Sequence, residues 1–110
     1  MKLIKSIVRP NKVDEVREAL ERLNIAGMTV TDVRGHGRQK GHTAVYRGKE
    51  YAVSLLPKVE IEVVVSNDVA EEVIKAIIQA ARTGEIGDGR VFVLPVDAGY
   101  NIRTGEQDVI

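Results

Sequence analysis

The sequence predicts an α+β fold in which two β-α-β halves form one sheet with both helices on the same face. Short apolar segments occur in the order strand, helix, strand, and this order is found twice. A long glycine-rich segment separates the halves. The chain has 110 residues, which fits one domain because domains cluster at roughly 100–150 residues. Together these features predict a ferredoxin-like split βαβ (βαββαβ) sandwich.

The first half begins with a strand over residues 2–9 that is rich in Ile and Val and is closed by a proline. Asn11 is expected to cap the first helix, with Asp14 as its partner in a capping-box-like pair. Asn24 and a nearby glycine end that helix, and residues 28–34 form the second strand. The helix repeats its apolar residues at helical spacing: Val13, Val16, Leu20 and Leu23.

The second half contains the clearest strand, residues 58–66, in which alternate residues are apolar. A second helix opens at Asn67, and Gly84 is expected to end it. Residues 90–96 form the fourth strand, and the tail from Gly99 onward is rich in turn-forming residues. The helix is expected to bury Val69, Val73, Ala76, Ile77 and Ala80.

One sheet face has no helix to cover it in this arrangement. Small proteins commonly bury such a face by self-association. The sequence therefore predicts a dimer or trimer rather than a monomer.

Composition excludes several classes of protein. Sixteen basic residues balance sixteen acidic ones, whereas a dedicated nucleic-acid binder usually has a basic excess. There is no cysteine, which excludes disulfides and Cys-ligated metals. We expect neither a signal peptide nor a membrane span, because no apolar run is long enough and the N-terminus carries charge.

Residues 83–90, with the sequence Thr-Gly-Glu-Ile-Gly-Asp-Gly-Arg, form the first candidate site. Closely spaced glycines allow backbone N–H groups to converge on an anion, and Arg90 can add charge. The structural alternative is a helix end followed by an Asp-Gly turn.

The long segment between the second and third strands of the predicted sheet, residues 36–56, is the second candidate. Such long loops are usually functional or disordered. Arg38 and Lys40 suit a phosphate or carboxylate, and Gln39 could donate an oxygen to Mg²⁺. Tyrosines are interleaved with cations here, which suits either a protein-binding surface or single-stranded RNA. The neutral charge of the whole chain favours the protein partner. A solvated basic loop is the structural alternative.

Two further features of the sequence are weaker signals. Residues 103–106, Arg-Thr-Gly-Glu, indicate only a turn when taken alone. His36 and His42 have no Cys or carboxylate at the spacing that a metal site needs. No Ser–His–Asp group, paired catalytic carboxylates or Cys nucleophile can be assembled. The sequence therefore predicts a protein that is not an enzyme.

Taken together, these stretches resemble the PII signal-transduction proteins, the nitrogen and energy sensors of prokaryotes and plastids. The resemblance covers essentially the whole chain as a single PII-like domain. Residues 37–43 and 46–51 match parts of the family's T-loop (about 37–55), residues 83–90 match its B-loop (about 82–90), and residues 103–106 match its C-loop (about 101–107).

The resemblance implies a homotrimer with ATP or ADP bound in each cleft between subunits. Arg38, Arg90 and Arg103 would neutralise phosphates, with Arg103 reaching in from the neighbouring subunit. The full set that it implies for nucleotide binding is Thr29, Gly35, Gly37, Arg38, Glu62, Val64, Gly87, Asp88, Gly89, Arg90 and Arg103.

The resemblance also implies a second ligand, 2-oxoglutarate, bound beside Mg²⁺ and ATP. Gln39 would coordinate the metal and Lys58 would pair with a carboxylate of the ligand. Lys40, Gly41 and Gly87 would add further contacts, Gly41 and Gly87 through their backbone. If 2-oxoglutarate binds only beside Mg²⁺ and ATP, the binding equilibria of ATP and 2-oxoglutarate are linked, and the protein responds to both metabolites together.

Three residues depart from the pattern of many relatives. Asn101 stands where many have a phosphate-binding Arg, which affects triphosphate binding and the ATP/ADP preference. Arg90 replaces a common Lys. Lys49 stands where some relatives have a phosphorylatable Ser, whereas Tyr51 matches a tyrosine that relatives modify by nucleotidylation.

The implied function is regulation of an ammonium transporter or of nitrogen-assimilation enzymes and regulators through the T-loop, with a nucleotidylyltransferase as a further partner. The implied location is the cytoplasm, with recruitment to a membrane by a transporter partner. A trimeric sensor of the same fold for another small molecule or metal is the first alternative. A small phosphohydrolase and an RNA-binding domain follow.

Overall fold

The computed structural model describes residues 1–25, 27–36, 43–46, 49–52 and 55–108, and it has the predicted ferredoxin-like α+β fold. A single 3₁₀ turn, Pro10–Lys12, precedes the first helix. The elements are β1 (Lys2–Val8), α1 (Val13–Arg22), β2 (Thr29–Gly35), β3 (Thr43–Tyr46), β4 (Lys49–Ala52), β5 (Leu56–Val65), α2 (Asn67–Ala81) and β6 (Gly89–Pro95).

The main sheet has four strands in the order β2-β5-β1-β6, and every neighbouring pair is antiparallel. The two central strands therefore come from different halves of the chain. Val8 pairs with Val59 on one side and with Gly89 on the other. This register brings the end of β1, the beginning of β5 and the beginning of β6 to one end of the sheet.

The core lies between the sheet and the two helices, which pack on each other and on the same sheet face. Alternate residues of β1 and β5 are buried there, as the period-2 pattern predicts. Ser6 is the polar residue in this layer, and its hydroxyl donates to the carbonyl of Ile61 at 3.3 Å. The buried apolar residues are Ile4, Val8, Val16, Leu20, Val59, Ile61, Val63, Val65, Ala70, Val73, Ile77 and Ala81.

The other sheet face, which we call the open face, has no helix over it in this chain. Leu3 pairs with Val64 and with Leu94, so these three side chains form an apolar row across three strands. Val64 is 38% exposed, Leu94 is 40% exposed and the nearby Phe92 is 46% exposed. Such a contiguous apolar row is typical of a surface that a partner covers.

The start of α1 differs from the sequence prediction. Asn11 lies inside the 3₁₀ turn, and the N-cap residue is Lys12, which makes no side-chain capping bond. The predicted cap at Asn11 is therefore wrong, because the chain enters the helix through the turn and Val13 is its first residue.

The end of α1 is as predicted. Asn24 has φ of 62°, the left-handed conformation that ends many helices. The Ile25 N–H donates to the Leu20 carbonyl at 3.0 Å and the Asn24 N–H to the Glu21 carbonyl at 3.0 Å. This is the Schellman pattern, with asparagine in the position that glycine most often occupies.

The end of α2 differs. The helix ends at Ala81, and Arg82 already has an extended backbone. Gly84 has φ of 91° and lies beyond the helix in the following loop. Gly84 is therefore not the residue that ends α2. No helix in the described part of the chain is long and apolar enough to cross a membrane.

The long segment between β2 and β5 is also more regular than predicted. It contains the antiparallel pair β3 and β4, in which Thr43 pairs with Ala52 and Tyr46 with Lys49. The sequence reading took residues 36–56 as a loop. The described part of that segment instead forms a two-stranded ribbon, separate from the main sheet.

Candidate functional site

The loop between α2 and β6, residues 82–88, passes beside the end of β1 and the beginning of β5. Two of its glycines, and Gly89 at the start of β6, have positive φ: 91° at Gly84, 103° at Gly87 and 105° at Gly89. Non-glycine residues rarely adopt such angles. The three glycines therefore have a conformational reason to be here, and they turn the backbone of this loop around Asp88.

The Asp88 carboxylate is the internal anchor of the loop. It accepts hydrogen bonds from the Thr83 N–H at 2.8 Å, the Gly84 N–H at 2.9 Å and the Thr83 hydroxyl. Desolvation alone would raise the pKa of Asp88. The hydrogen bonds from Thr83, Gly84 and Arg9 outweigh it and hold the pKa well below its usual range. Asp88 is therefore ionised at neutral pH, and its side chain is used within the protein.

Arg9, which directly follows β1, reaches the same loop. Its Nε donates to Oδ1 of Asp88 at 3.1 Å, and its Nη2 donates to the carbonyl of Ile86 at 3.0 Å. The Arg9 and Asp88 side chains are only 21% and 22% exposed. One guanidinium thus holds two points of the loop, which its planar fork of donors allows.

Lys58 approaches from β5. Its Nζ donates to the carbonyl of Gly87 at 2.6 Å. Desolvation and the positive charge of Arg9 lower the pKa of Lys58, while the charge of Asp88 partly opposes them. Two successive loop carbonyls therefore accept hydrogen bonds from cations: that of Ile86 from Arg9 and that of Gly87 from Lys58.

Gly89 allows the closest approach in the site. A Cβ atom built there would lie 1.7 Å from the carbonyl oxygen of Ile7 and 2.8 Å from its carbon. No side chain fits this position without moving the backbone. The loop and the end of β1 are therefore in direct backbone contact.

The remaining described residues of the predicted nucleotide set lie on or beside the open face. Glu62 and Val64 lie on that face of β5, as does Lys58 of the predicted 2-oxoglutarate set, and Thr29 on β2 pairs with Glu62. Gly35 ends β2 beside Lys58, since a Cβ built on it would lie 3.4 Å from the Lys58 Cγ. Arg90 pairs with Ile7 and is exposed next to the loop.

Arg103 lies at the opposite end of the sheet. It sits in a tight turn closed by the Tyr100–Gln107 bridge. This turn follows residues that contact the start of β1, where the Val96 N–H donates to the Met1 carbonyl. The seven residues of β1 separate the two ends by about 23 Å at about 3.3 Å per residue. The segment that contains Arg103 therefore starts at the opposite end of β1 from Gly87 and Gly89.

Asn101 has a local role in that turn. Its side-chain oxygen accepts from the Thr104 N–H at 3.1 Å, and its carbonyl accepts from the Gly105 N–H at 2.7 Å. Gly105 has φ of 73°. Asn101 thus shapes the turn that presents Arg103.

Several predicted site residues lie outside the described residues. These are Gly37, Arg38, Gln39, Lys40 and Gly41. Tyr51 is described only as a backbone position in β4, where it pairs with Ala44. In the part of the chain that the structure describes, no three His, Asp or Glu side chains form a cluster suited to a metal ion.

A groove of about 310 Å³ lies between α2 and the edge strand β6. Ile74 and Ile78 form one wall, Val91 and Val93 form the other, and Asp88 and Gly89 close one end. It does not include Thr29, Glu62 or Val64. Part of the predicted nucleotide set, namely Asp88, Gly89 and Arg90, therefore lines this groove, and the members on the open face do not.

The sequence reading missed Arg9 and the anchoring role of Thr83. Arg9 is a single cation before a proline, and the neighbouring residues in the sequence give no sign that it belongs to a site. Only the pairing of Val8 with Gly89, which joins residues far apart in the chain, places Arg9 beside Asp88. No local sequence signal carries that register.

Comparison with known proteins defines the class. A sequence model of the family described as "Nitrogen regulatory protein P-II" matches residues 1–106. The chain therefore belongs to the P-II family of nitrogen regulatory proteins.

Curated relatives agree over nearly their whole length. The nitrogen regulatory protein P-II of Rhizobium etli is 54% identical over 108 residues, covering 98% of this chain and 96% of the relative. The protein from Azospirillum brasilense is 57% identical, covering 97% and 96%. The nitrogen regulatory protein P-II 1 of Escherichia coli K12 is 56% identical, covering 98% and 96%.

Proposed function

We propose that this member of the P-II family is a regulator, not a catalyst, that binds ATP or ADP between the subunits of a homotrimer. The observation that carries the proposal is the loop at residues 82–88. Its positive-φ glycines lie beside the cations Arg9, Lys58 and Arg90. A backbone of this kind with cations around it suits the phosphates of a nucleotide.

The separation of the predicted residues supports a site that two subunits share. Gly87, Gly89 and Arg90 lie at one end of the sheet, and the turn that contains Arg103 starts at the other. We therefore propose that a nucleotide contacting both groups is held by two chains. The apolar row on the open face gives that chain a surface to pack against.

Isothermal titration calorimetry with ATP and ADP tests nucleotide binding. We expect Arg90→Ala and Arg103→Ala each to weaken binding by about tenfold or more, since a charged hydrogen bond contributes about 1.5–3 kcal/mol. Lys75→Ala, an exposed cation on α2, is the matched control and should leave binding unchanged.

Mixing the two variants tests the shared site. Trimers that contain both Arg90→Ala and Arg103→Ala chains rebuild some intact clefts, because one chain supplies Arg90 and its neighbour supplies Arg103. We expect part of the binding capacity to return. A lack of recovery in confirmed mixed trimers would place the site within one chain.

The proposed function also includes a second small-molecule ligand and protein partners. We propose that 2-oxoglutarate binds only beside Mg²⁺ and ATP, with Gln39 on the metal and Lys58 on a ligand carboxylate. Lys58 lies at the loop, donating to the Gly87 carbonyl. We further propose that residues 37–55 contact an ammonium transporter or nitrogen-assimilation enzymes in the cytoplasm, and that Tyr51 is the site of nucleotidylation.

Titration of 2-oxoglutarate with and without Mg²⁺ and ATP distinguishes the alternatives. Binding that requires both supports the full proposal, and loss of it in Lys58→Met supports the role of Lys58. Nucleotide binding without any 2-oxoglutarate response would indicate a pure energy sensor. No binding of either would favour a sensor of another small molecule or metal, and steady release of phosphate from ATP would indicate a phosphohydrolase.

A further inference from the structure

We propose that Arg9 is a positioning residue for the nucleotide site: it holds the loop at residues 82–88 in the conformation that turns the N–H groups of Gly87 and Asp88 outward. This inference rests on the proposed function, because the outward N–H groups are the donors that a phosphate would use. Arg9 itself need not contact the ligand.

The geometry of the peptide units carries the first step. No peptide bond in the described residues is cis. In a trans peptide unit the C=O and N–H groups point in opposite directions. Arg9 binds the Ile86 carbonyl and Lys58 binds the Gly87 carbonyl. The N–H groups of Gly87 and Asp88, which belong to these same two peptide units, therefore point away from Arg9 and Lys58.

The hydrogen bonds of the loop carry the second step. Its internal donors are the N–H groups of Thr83, Gly84 and Glu85. Within the described residues, no hydrogen bond uses the N–H groups of Gly87 or Asp88. The N–H groups at the start of the loop thus bind acceptors within the loop. The N–H groups of Gly87 and Asp88 are left for an external acceptor, and two neighbouring backbone donors of this kind suit an anion.

The position of Arg9 carries the third step. Its guanidinium binds Asp88 at 3.1 Å and Ile86 at 3.0 Å, so it fixes the residues on both sides of Gly87. Glycine has more backbone freedom than any other residue. Without Arg9, the Ile86–Gly87 peptide unit loses the bond to its carbonyl and can rotate. A lysine can supply the charge but lacks the fork that reaches both acceptors.

The first measurement is the affinity for ADP, with ADP alone as the probe. We expect Arg9→Ala to weaken it by about tenfold or more, from the loss of charged hydrogen bonds that orient the donors. Arg9→Lys should fall between Arg9→Ala and the unmodified chain. Arg22→Ala, which removes an exposed cation paired with Glu18 on α1, is the control and should bind normally.

The second measurement does not depend on a ligand. Amide hydrogen exchange in the unliganded protein should be faster at Thr83 and Gly84 in Arg9→Ala, because their N–H groups donate to Asp88, the residue that Arg9 holds in place. Exchange in β1 and β5 should stay as in the unmodified chain. A purely global loss of stability would instead accelerate exchange throughout the sheet, and that result would overturn the inference.

The two measurements also separate this inference from the proposed function. If the unmodified chain binds ADP and Arg9→Ala binds it equally well, the positioning role is wrong and the proposed function stands. If the unmodified chain binds neither ADP nor ATP, the proposed function fails. The exchange experiment then decides alone, and unchanged exchange at Thr83 and Gly84 overturns the role of Arg9 in holding the loop.

Discussion

At Gly89 the chain passes so close to the Ile7 carbonyl that a side chain would overlap it at 1.7 Å. The residue also has φ of 105°. We expect Gly89→Ala to destabilise the protein by about 2 kcal/mol or more, because both the backbone strain and the overlap must be relieved by moving β6 away from β1. The free energy of unfolding in urea measures this change.

Gly84→Ala is the matched control for that experiment. Gly84 has a similar φ of 91°, but a Cβ built there meets nothing within 4 Å. Only the left-handed strain remains, which costs about 1 kcal/mol. Equal destabilisation by the two substitutions would show that the contact with Ile7 is unimportant and that strain alone accounts for the effect.

Some single residues were predictable from the sequence and others were not. Asn24 was, because asparagine after an amphipathic run is a common helix end, and the structure has it at φ of 62°. Lys58 and the glycines of residues 84–89 were also singled out, and the structure brings them together. Arg9 was missed because its role depends on strand register rather than on neighbouring residues.

At the scale of one element, the loop at residues 82–88 depends on an ionised Asp88. Hydrogen bonds from Thr83, Gly84 and Arg9 hold the folded-state pKa below the usual range. The unfolded chain takes up a proton near the ordinary value of about 3.9. The stabilisation from Asp88 is therefore fully present above about pH 4 and is lost as the pH falls through the folded-state pKa.

This pH dependence is measured as the difference in unfolding free energy between the unmodified chain and Asp88→Asn. We expect a constant difference from pH 7 to about 5 and a shrinking one below about 4. Asp97→Asn, at an exposed position after β6, is the control. A difference that does not change with pH would mean that the charge of Asp88 is not what holds the loop.

The regular elements were largely predictable because they repeat one physical pattern. Alternation in β5 placed the apolar residues on the buried face. In α2 the predicted Val73 and Ile77 are buried, whereas Val69, Ala76 and Ala80 are only partly buried and Ala70 and Ala81 are buried in addition. The ribbon of β3 and β4 was missed, although Thr43–Tyr46 and Lys49–Ala52 are separated by a short segment that contains glycine, a hairpin signal. The cap at Asn11 was wrong because a capping pattern cannot exclude a preceding 3₁₀ turn.

At the scale of the whole molecule, the predicted site residues are spread over the two ends of the main sheet. Residues 82–88 lie beside the end of β1, and the turn that contains Arg103 starts from residues beside the beginning of β1. Sequence reading assigned these residues to one site through family resemblance. Periodicity alone could not do so, since it predicts which residues share a face and not which distant residues meet.

The apolar row on the open face gives the final prediction. We expect the unmodified chain to sediment as an oligomer and Leu94→Glu to sediment as a monomer, because assembly through the open face would bury a carboxylate beside Leu3 without a partner. Sedimentation velocity measures the change in mass. Ile78→Glu is the matched control, since Ile78 is 37% exposed, close to the 40% of Leu94, but lies on α2. It should leave the assembly intact. An intact Leu94→Glu assembly would show that the open face is not the subunit interface, and the shared nucleotide site would then need another arrangement of chains.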